Sequence, residues 1–269
     1  MVLKHLVYTA KQLHLIILII MQLPLDYSPS TLILKDKVIL ITGAGSGIGR
    51  AVAKLFAHHG ASVVLCGRTV KNLESVYDEI EAAGDPQPAI FPLDLMTLTP
   101  PIANQLAESL DKELGRLDGV LHNAGILGSM TSIENYSPQQ WLEVMQVNVN
   151  AGFLLTATLL PLLRNSGDAR CVFTSSSVGK QGRAYWGAYC VSKFATEGMM
   201  QVLAEETESE GLIRVNSINP GGTRTNMRAS AFPAEDPQTL RTPEEIAPGY
   251  LYLFGPEGRE IHGQCCKLQ

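Results

Sequence analysis

The sequence predicts an α/β protein built on a parallel sheet with helices on both faces. Three observations lead there. Short, continuously apolar runs alternate with longer amphipathic stretches along most of the chain. The apolar runs do not alternate with polar residues, as strands buried on both faces require. A cluster of glycines also lies directly between the first such run and the first helical stretch. The 269 residues are 45% hydrophobic and 17% charged, with 24 glycines and 15 prolines. That mixture fits one large domain with a sizeable core and excludes long disorder, collagen and coiled coil.

The elements follow in order. Residues 38–42 form the first buried strand. Residues 48–59 carry Ile48, Val52, Leu55 and Phe56 as a helical stripe, closed by Gly60. Residues 62–65 are the second strand and 72–83 a charged amphipathic helix, broken by Gly84, Asp85 and Pro86. Strand three spans 89–93, a helix 101–114, and strand four 117–122. Ser137 opens a long helix as N-cap, with Pro138 at its first position and Gln140 completing a capping box. That helix runs through Asn148 towards residue 163. Residues 171–175 are strand five, 189–208 a helix and 214–219 strand six. Thr242, Pro243 and Glu245 start a last helix, ending near Phe254. Such βαβ alternation puts ligands outside the carboxyl ends of the strands.

The N-terminus stands apart. Residues 15–21 read LIILIIM, flanked by Lys4 and Lys11. The run falls short of the roughly 20 residues of a membrane helix. It also lacks a small-x-small cleavage site for secretion. Residues 1–30 are therefore assigned to an extension, read as a start-site artefact or loose appendage, and 31–269 to the domain. No stable membrane insertion is expected. The net charge of −5 gives no basic face for nucleic acid. Cysteines 66, 171, 190, 265 and 266 have no metal-ligand spacing. Their odd number and the adjacent pair argue for a reducing cytoplasm rather than disulfides, and no metal site is predicted.

The loop Gly43, Ala44, Gly45, Ser46, Gly47, Ile48, Gly49 matches neither G-x-G-x-x-G nor a P-loop. Its physics still suits a pyrophosphate: glycines allow close backbone approach, and the helix N-terminus offers free N–H groups. Tyr189 and Lys193 are four apart on one helix face. Alone, such a pair is ordinary surface. For carbonyl chemistry it supplies a phenol as proton donor and an ammonium close enough to lower the phenol pKa. Ser176 supplies a hydroxyl for the substrate oxygen.

The spacing T-G-x-x-x-G-x-G is where the chain resembles the short-chain dehydrogenase/reductase family, over about residues 35–263. Asp94 and Leu95 follow strand three. His122, Asn123, Ala124 and Gly125 resemble the family's N-N-A-G, with His122 as a departure. Asn148, Ser176, Tyr189-x-x-x-Lys193 and Pro220-Gly221-x-x-x-Thr225 stand in family order. The resemblance implies a single Rossmann-like doubly wound domain with a parallel seven-stranded sheet in the order 3-2-1-4-5-6-7. It implies a homodimer or homotetramer built through two long helices. It makes Ser176, Tyr189, Lys193 and Asn148 catalytic, with Asn148 positioning a relay water and Lys193 also holding the nicotinamide ribose. Cofactor contacts are assigned to Gly43, Gly45, Ser46, Gly47, Ile48, Gly49, Arg68, Asp94, Leu95, Asn123, Ala124, Gly125, Tyr189, Lys193, Pro220, Gly221, Thr223 and Thr225.

An acid after strand two would repel a 2′-phosphate. Gly67 holds that position and Arg68 follows, so NADP(H) is favoured over NAD(H). Against this, Ser46 stands where many NADP-preferring relatives carry a basic residue. On the substrate side, residues 223–232 form a lid and Tyr185 and Trp186 an apolar wall. Arg183, Arg224 and Arg228 are solvated surface cations, or else binders of an anionic substrate. The expected reaction interconverts a small-molecule carbonyl and an alcohol. A non-catalytic NADP(H) sensor and a hydrolase with Ser176 as nucleophile are the rivals.

Overall fold

The structure is a computed structural model and describes residues 21–29 and 32–269. All strands are parallel, in one eight-stranded sheet. The elements are β1 (Met21–Gln22), β2 (Val38–Thr42), α1 (Gly47–His58), β3 (Ser62–Gly67), α2 (Val70–Ala82), β4 (Ala89–Pro92), α3 (Pro100–Leu114) and β5 (Gly119–His122). They continue with α4 (Pro138–Met145), α5 (Ala151–Asn165), β6 (Ala169–Thr174), α6 (Gly187–Glu208), β7 (Ile213–Asn219), α7 (Asn226–Ala231), α8 (Pro243–Phe254) and β8 (Cys265–Lys267). The spatial order is β1-β8-β7-β6-β5-β2-β3-β4. Without β1, this is the predicted seven-stranded order.

The sheet divides the core in two because successive strand residues point to opposite faces. Ile39 and Ile41 of β2, with Val63 and Leu65 of β3, pack against α1, α2 and α8. Val38 and Leu40, with Val64 and Cys66, pack against α3, α5 and α6. The unbroken apolar strand runs are thus explained by burial on both sides. From β2 the chain crosses to β3 on one flank, while β5 lies on the other. The strand order reverses there, and a crevice opens above the carboxyl ends of β2 and β5.

Three features differ from the sequence reading. First, the sheet has an eighth strand. Met21 and Gln22 pair with Cys266 and Lys267, and Leu23 N–H donates to the Lys267 carbonyl at 2.9 Å. Leu23 is 2% exposed, and Tyr27 donates to Glu257 at 2.5 Å and stacks edge-on against Tyr252. Residues 21–27, assigned by sequence to the extension, therefore seal the edge of β8; the preceding residues of the LIILIIM run lie outside the described residues. A two-residue strand is too short to carry a pattern.

Second, the long helix from Ser137 is interrupted. A π turn at Gln146–Asn150 separates α4 from α5, and such turns concentrate at functional sites. Third, its predicted capping box is half formed. The Gln140 N–H donates to Ser137 Oγ, but the Gln140 side chain accepts from Ser129 instead of reaching back. At Thr242 the box is complete with Glu245. The run Pro138–Asn165 is long and apolar enough to cross a membrane. Here Leu155, Leu159 and Leu163 bury it against the sheet.

If Leu23 anchors the edge strand, Leu23→Ala should cost about 2–4 kcal/mol, the usual range for a buried leucine. Urea unfolding would measure this as a lower midpoint with an unchanged slope.

Candidate functional site

The crevice is a cleft of about 690 Å³ running from the glycine loop across the ends of β2, β5, β6 and β7 to the segment carrying α7. Its floor is pinned by one hydroxyl. Thr42 Oγ1 accepts the N–H groups of Asn123 and Ala124 at 3.0 and 3.1 Å and donates to the Leu121 carbonyl at 3.3 Å. The Asn123 amide donates to the Thr42 carbonyl at 3.2 Å, and Thr174 donates to Asn123 Oδ1 at 3.4 Å. Three strand ends are thereby held at one height.

The glycine loop turns tightly above this floor. Gly43 has φ 70°, a left-handed conformation that suits glycine. A Cβ on Gly49 would lie 2.3 Å from the Gly43 carbonyl oxygen, so α1 rests directly on the loop. Ser46, the N-cap of α1, uses an extended backbone and caps nothing with its side chain. The first N–H groups of α1 are thus free to meet an anion. Gly43, Gly45, Ser46, Gly47 and Ile48 line the cleft, whereas Gly49 is the packing glycine behind it.

Arg68 and Thr69 lie at the end of β3, where α2 begins. Both are exposed and line the cleft. Thr69 is the N-cap of α2 without a side-chain cap bond. No ion pair engages Arg68 among the described residues, whereas its neighbour Arg50 is held by Glu79 at 2.6 Å. Asp94 accepts from the Met96 N–H at 3.0 Å, and the Leu95 carbonyl accepts from Gln146 at 3.2 Å. Asn123, Ala124 and Gly125 line the middle of the cleft, and Pro220, Gly221, Thr223 and Thr225 its far wall. Thr225 caps α7, accepting from the Arg228 N–H at 3.2 Å.

Ser176, Tyr189 and Lys193 meet in the middle of the cleft. Ser176 lies just past the end of β6, and its hydroxyl acts on the Tyr189 phenol. Tyr189 and Lys193 come from one face of α6. Burial pushes the Tyr189 phenol up to about 12, with Ser176 pulling it part of the way back. Burial pushes Lys193 down to about 8, opposed by Glu197. The expected depression of Tyr189 by Lys193 is therefore absent. The Lys193 ammonium turns to the Thr174 carbonyl at 2.8 Å and lies 5.5 Å from the phenol ring centre.

Asn148 lies behind this trio, in the π turn, and does not line the main cleft. Its side chain accepts the Ile126 N–H at 2.8 Å and donates to the Ile126 carbonyl and to Ser192 Oγ, at 2.9 and 3.0 Å. Ser192 in turn donates to the Tyr189 carbonyl at 2.7 Å. Both Asn148 side-chain N–H groups and one acceptor site of its Oδ1 are thus used as a clamp. His122, the departure from N-N-A-G, stacks 4.7 Å from Phe173 and contacts Thr156 Oγ1 at 2.9 Å. Thr156 gives its proton to the Gly152 carbonyl, which assigns the donor role to His122 Nε2. Burial pushes His122 down to about 4, so the ring is neutral at pH 7.

Sequence reasoning missed Gln146, Ser192 and Thr174, whose roles depend on contacts made across the fold. At the substrate end, Trp186, Leu127, Met227 and Ala231 line the cleft. Tyr185 points away and is 65% exposed, so only Trp186 forms the predicted wall. Arg228 is paired with Glu235 at 2.6 Å, and Arg224 donates to the Pro237 and Leu240 carbonyls. Arg183 lies against the Trp186 and Phe232 rings.

This geometry can be set beside known proteins. A sequence profile described as short chain dehydrogenase matches residues 37–236. The chain belongs to that family. Among its relatives, the oxidoreductase YciK of Escherichia coli is 54% identical over 245 residues, covering 91% of this chain and 96% of YciK. A short chain dehydrogenase structure from Pseudomonas syringae is 55% identical with a TM-score of 0.89, covering 91% of this chain and 99% of the other. Another, from Escherichia coli CFT073 and complexed with NADPH, is 54% identical with a TM-score of 0.87, covering 90% and 100%. The protein is thus a dehydrogenase/reductase-type enzyme with the doubly wound fold of its family.

Gly49→Ala tests the packing of the loop. The added methyl would collide with the Gly43 backbone, so nucleotide affinity should fall by tenfold or more while the protein stays folded. Fluorescence titration with NADPH, paired with thermal melting, measures both.

Proposed function

We propose that the protein interconverts a carbonyl and an alcohol using NADP(H). The observation that carries this reading is the convergence of Ser176, Tyr189 and Lys193 beside a glycine loop whose helix N-terminus faces the same cleft. The cleft fits a dinucleotide. The glycine turn leaves no room for side chains, the α1 N–H groups suit a pyrophosphate, and Asn123 to Gly125 line the path to Tyr189.

The choice of NADP(H) over NAD(H) rests on Arg68. With Gly67 where an acid would stand and no carboxylate engaging Arg68 among the described residues, the β3 end favours a 2′-phosphate. The NADPH complex of the E. coli CFT073 neighbour supports the same assignment. Asp94, Leu95, Pro220, Gly221, Thr223 and Thr225 complete the proposed cofactor contacts.

When bound, NADPH supplies the hydride. The protein's part is proton delivery and positioning. Ser176 donates a hydrogen bond to the substrate oxygen and polarises the carbonyl. Tyr189, held protonated by burial, gives its proton to the alkoxide as charge develops there. Lys193 supplies a positive charge that stabilises the resulting phenolate and contacts the ribose. Asn148 holds the backbone at Ile126 and, through Ser192, the turn of α6 that carries Tyr189. Five buried free thiols suit a reducing compartment such as the cytoplasm.

Tyr189→Phe should lower turnover by about 10²–10⁴-fold with little change in NADPH affinity, because the phenol proton matters only in the transition state. Lys193→Ala should lower both. Arg68→Ala should weaken NADPH by about tenfold or more and leave NADH unaffected. Nicotinamide absorbance over a panel of carbonyls and alcohols, with both cofactors, makes these measurements. Unchanged turnover in Tyr189→Phe would sink the mechanism. Tight NADPH binding with no reducible substrate would favour a sensor.

We also infer a homodimer or homotetramer. Leu142 on α4, Phe153 on α5 and Val191, Phe194 and Val202 on α6 are between 40% and 63% exposed, along the two long helical runs. Phe153→Glu combined with Phe194→Glu should give a monomer by light scattering; an unchanged mass would place the interface elsewhere.

A further inference from the structure

One helical turn beyond Lys193 on α6, the structure buries an acid. Glu197 is 3% exposed. Ser217 Oγ on β7 lies 3.0 and 2.9 Å from its two carboxylate oxygens, and Cys265 Sγ on β8 donates at 3.4 Å. Lys180 Nζ lies 3.3 Å away and is itself buried. Burying a carboxylate is costly unless it is paired and hydrogen bonded, so these contacts are what make the site tolerable. A purely apolar joint would pack the same elements without an ion pair.

Lys180 has a particular place. Ser176 opens a tight turn at Ser177–Gly179, closed by Gly179 N–H to the Ser176 carbonyl at 2.9 Å. Lys180 ends that turn, its N–H donating to the Ser177 carbonyl at 3.2 Å. Gly179 lies so close to α6 that a Cβ there would be 2.9 Å from the Lys193 carbonyl. The turn bearing Ser176 is thus pressed onto the helix bearing Tyr189 and Lys193, and Glu197 grips its far end.

We propose that Glu197 is a positioning residue for the reductase reaction: paired with Lys180 at 3.3 Å and one helical turn from Lys193, it holds the Ser176 turn against α6 and sets the charge balance around Lys193. This rests on the reading of the site given above. The titratable groups packed around Lys193 and Glu197 support it. Tyr189 on α6, Tyr250 on α8 and the Cys265 thiol on β8 are all pushed up by burial and stay protonated. His122 on β5 is neutral, and Lys180 pairs with Glu197. Glu197, one turn along α6, opposes the loss of the Lys193 proton.

The test is fluorescence titration of NADPH from pH 6 to 10, with melting temperature as the folding control. In wild type, affinity should fall as Lys193 loses its proton. In Glu197→Gln that fall should come about one pH unit lower, the effect of removing a nearby opposite charge. In Lys180→Met it should come at the same or higher pH, while kcat drops because the Ser176 turn is released. Should Glu197→Gln unfold, the charge-balanced double variant Glu197→Gln with Lys180→Met carries the test and should keep the lower midpoint. A merely structural Glu197 would give midpoints that coincide with wild type in folded variants, and that result overturns the proposal. A wild type that does not bind NADPH would instead overturn the cofactor reading, and this inference with it.

Discussion

The site depends on the hydroxyl of Thr42. Parallel strands end in open hydrogen-bonding groups, and nothing in the sheet itself fixes how far apart the loops above β2 and β5 stand. Thr42 Oγ1 closes that gap with three hydrogen bonds to residues 121, 123 and 124. The Asn123 amide returns to the Thr42 carbonyl, and Thr174 extends the lattice to β6. Buried polar groups are stable only when satisfied, so this small network rigidifies the cleft floor as well as shaping it. The same Thr174 gives its carbonyl to Lys193, which links the nucleotide end to the chemical end through one residue.

The second constraint is the cost of burying charge. Lys193 and Glu197 both lie inside α6, at 6% and 3% exposure. Dehydration loosens the hold of the lysine on its proton, and an acid one turn on opposes that loss. The π turn at Gln146–Asn150 solves a related problem. By widening the helix at one point it aims the Asn148 side chain at Ile126 and Ser192 rather than at its own backbone. The deviation from regular helix thus occurs where the clamp is needed.

Much of this was legible in the sequence. The continuous apolar strands, the glycine turn and the Tyr189–Lys193 spacing each reflect a local rule, and the structure brings the glycine loop, Arg68, Ser176, Tyr189 and Lys193 to one cleft. What was not legible depends on contacts far apart in sequence. Leu23 reads as part of a loose extension until β8 is seen beside it. Ser192 is one unremarked hydroxyl between two singled-out residues, yet it bridges Asn148 to the Tyr189 carbonyl. Burial set the sign of the Tyr189 shift against the expected one, and Lys193, turned to the Thr174 carbonyl 19 residues away, does not offset it, because proximity on a helix face does not fix where a long side chain points.

The substrate end shows how neutralisation narrows a surface. Three arginines near the lid read in sequence as solvated surface cations first and as binders of an anionic substrate second. In the fold, Arg228 spends its guanidinium on Glu235, and Arg224 is committed to two backbone carbonyls. Arg183 is held face-on by Trp186 and Phe232, which draws the lid end towards the wall of the cleft. Leu127, Trp186, Met227 and Ala231 give the cleft beyond Tyr189 an apolar side, with the Ser176 and Tyr189 hydroxyls at its inner end, while Arg224, Arg228 and Glu244 line the same cleft. Such a surface gains energy from apolar area and orients it by two hydrogen bonds to a single oxygen. Under the proposed chemistry a carbonyl compound with an apolar body meets both demands, whereas an anionic group drawn to Arg228 would have to compete with Glu235.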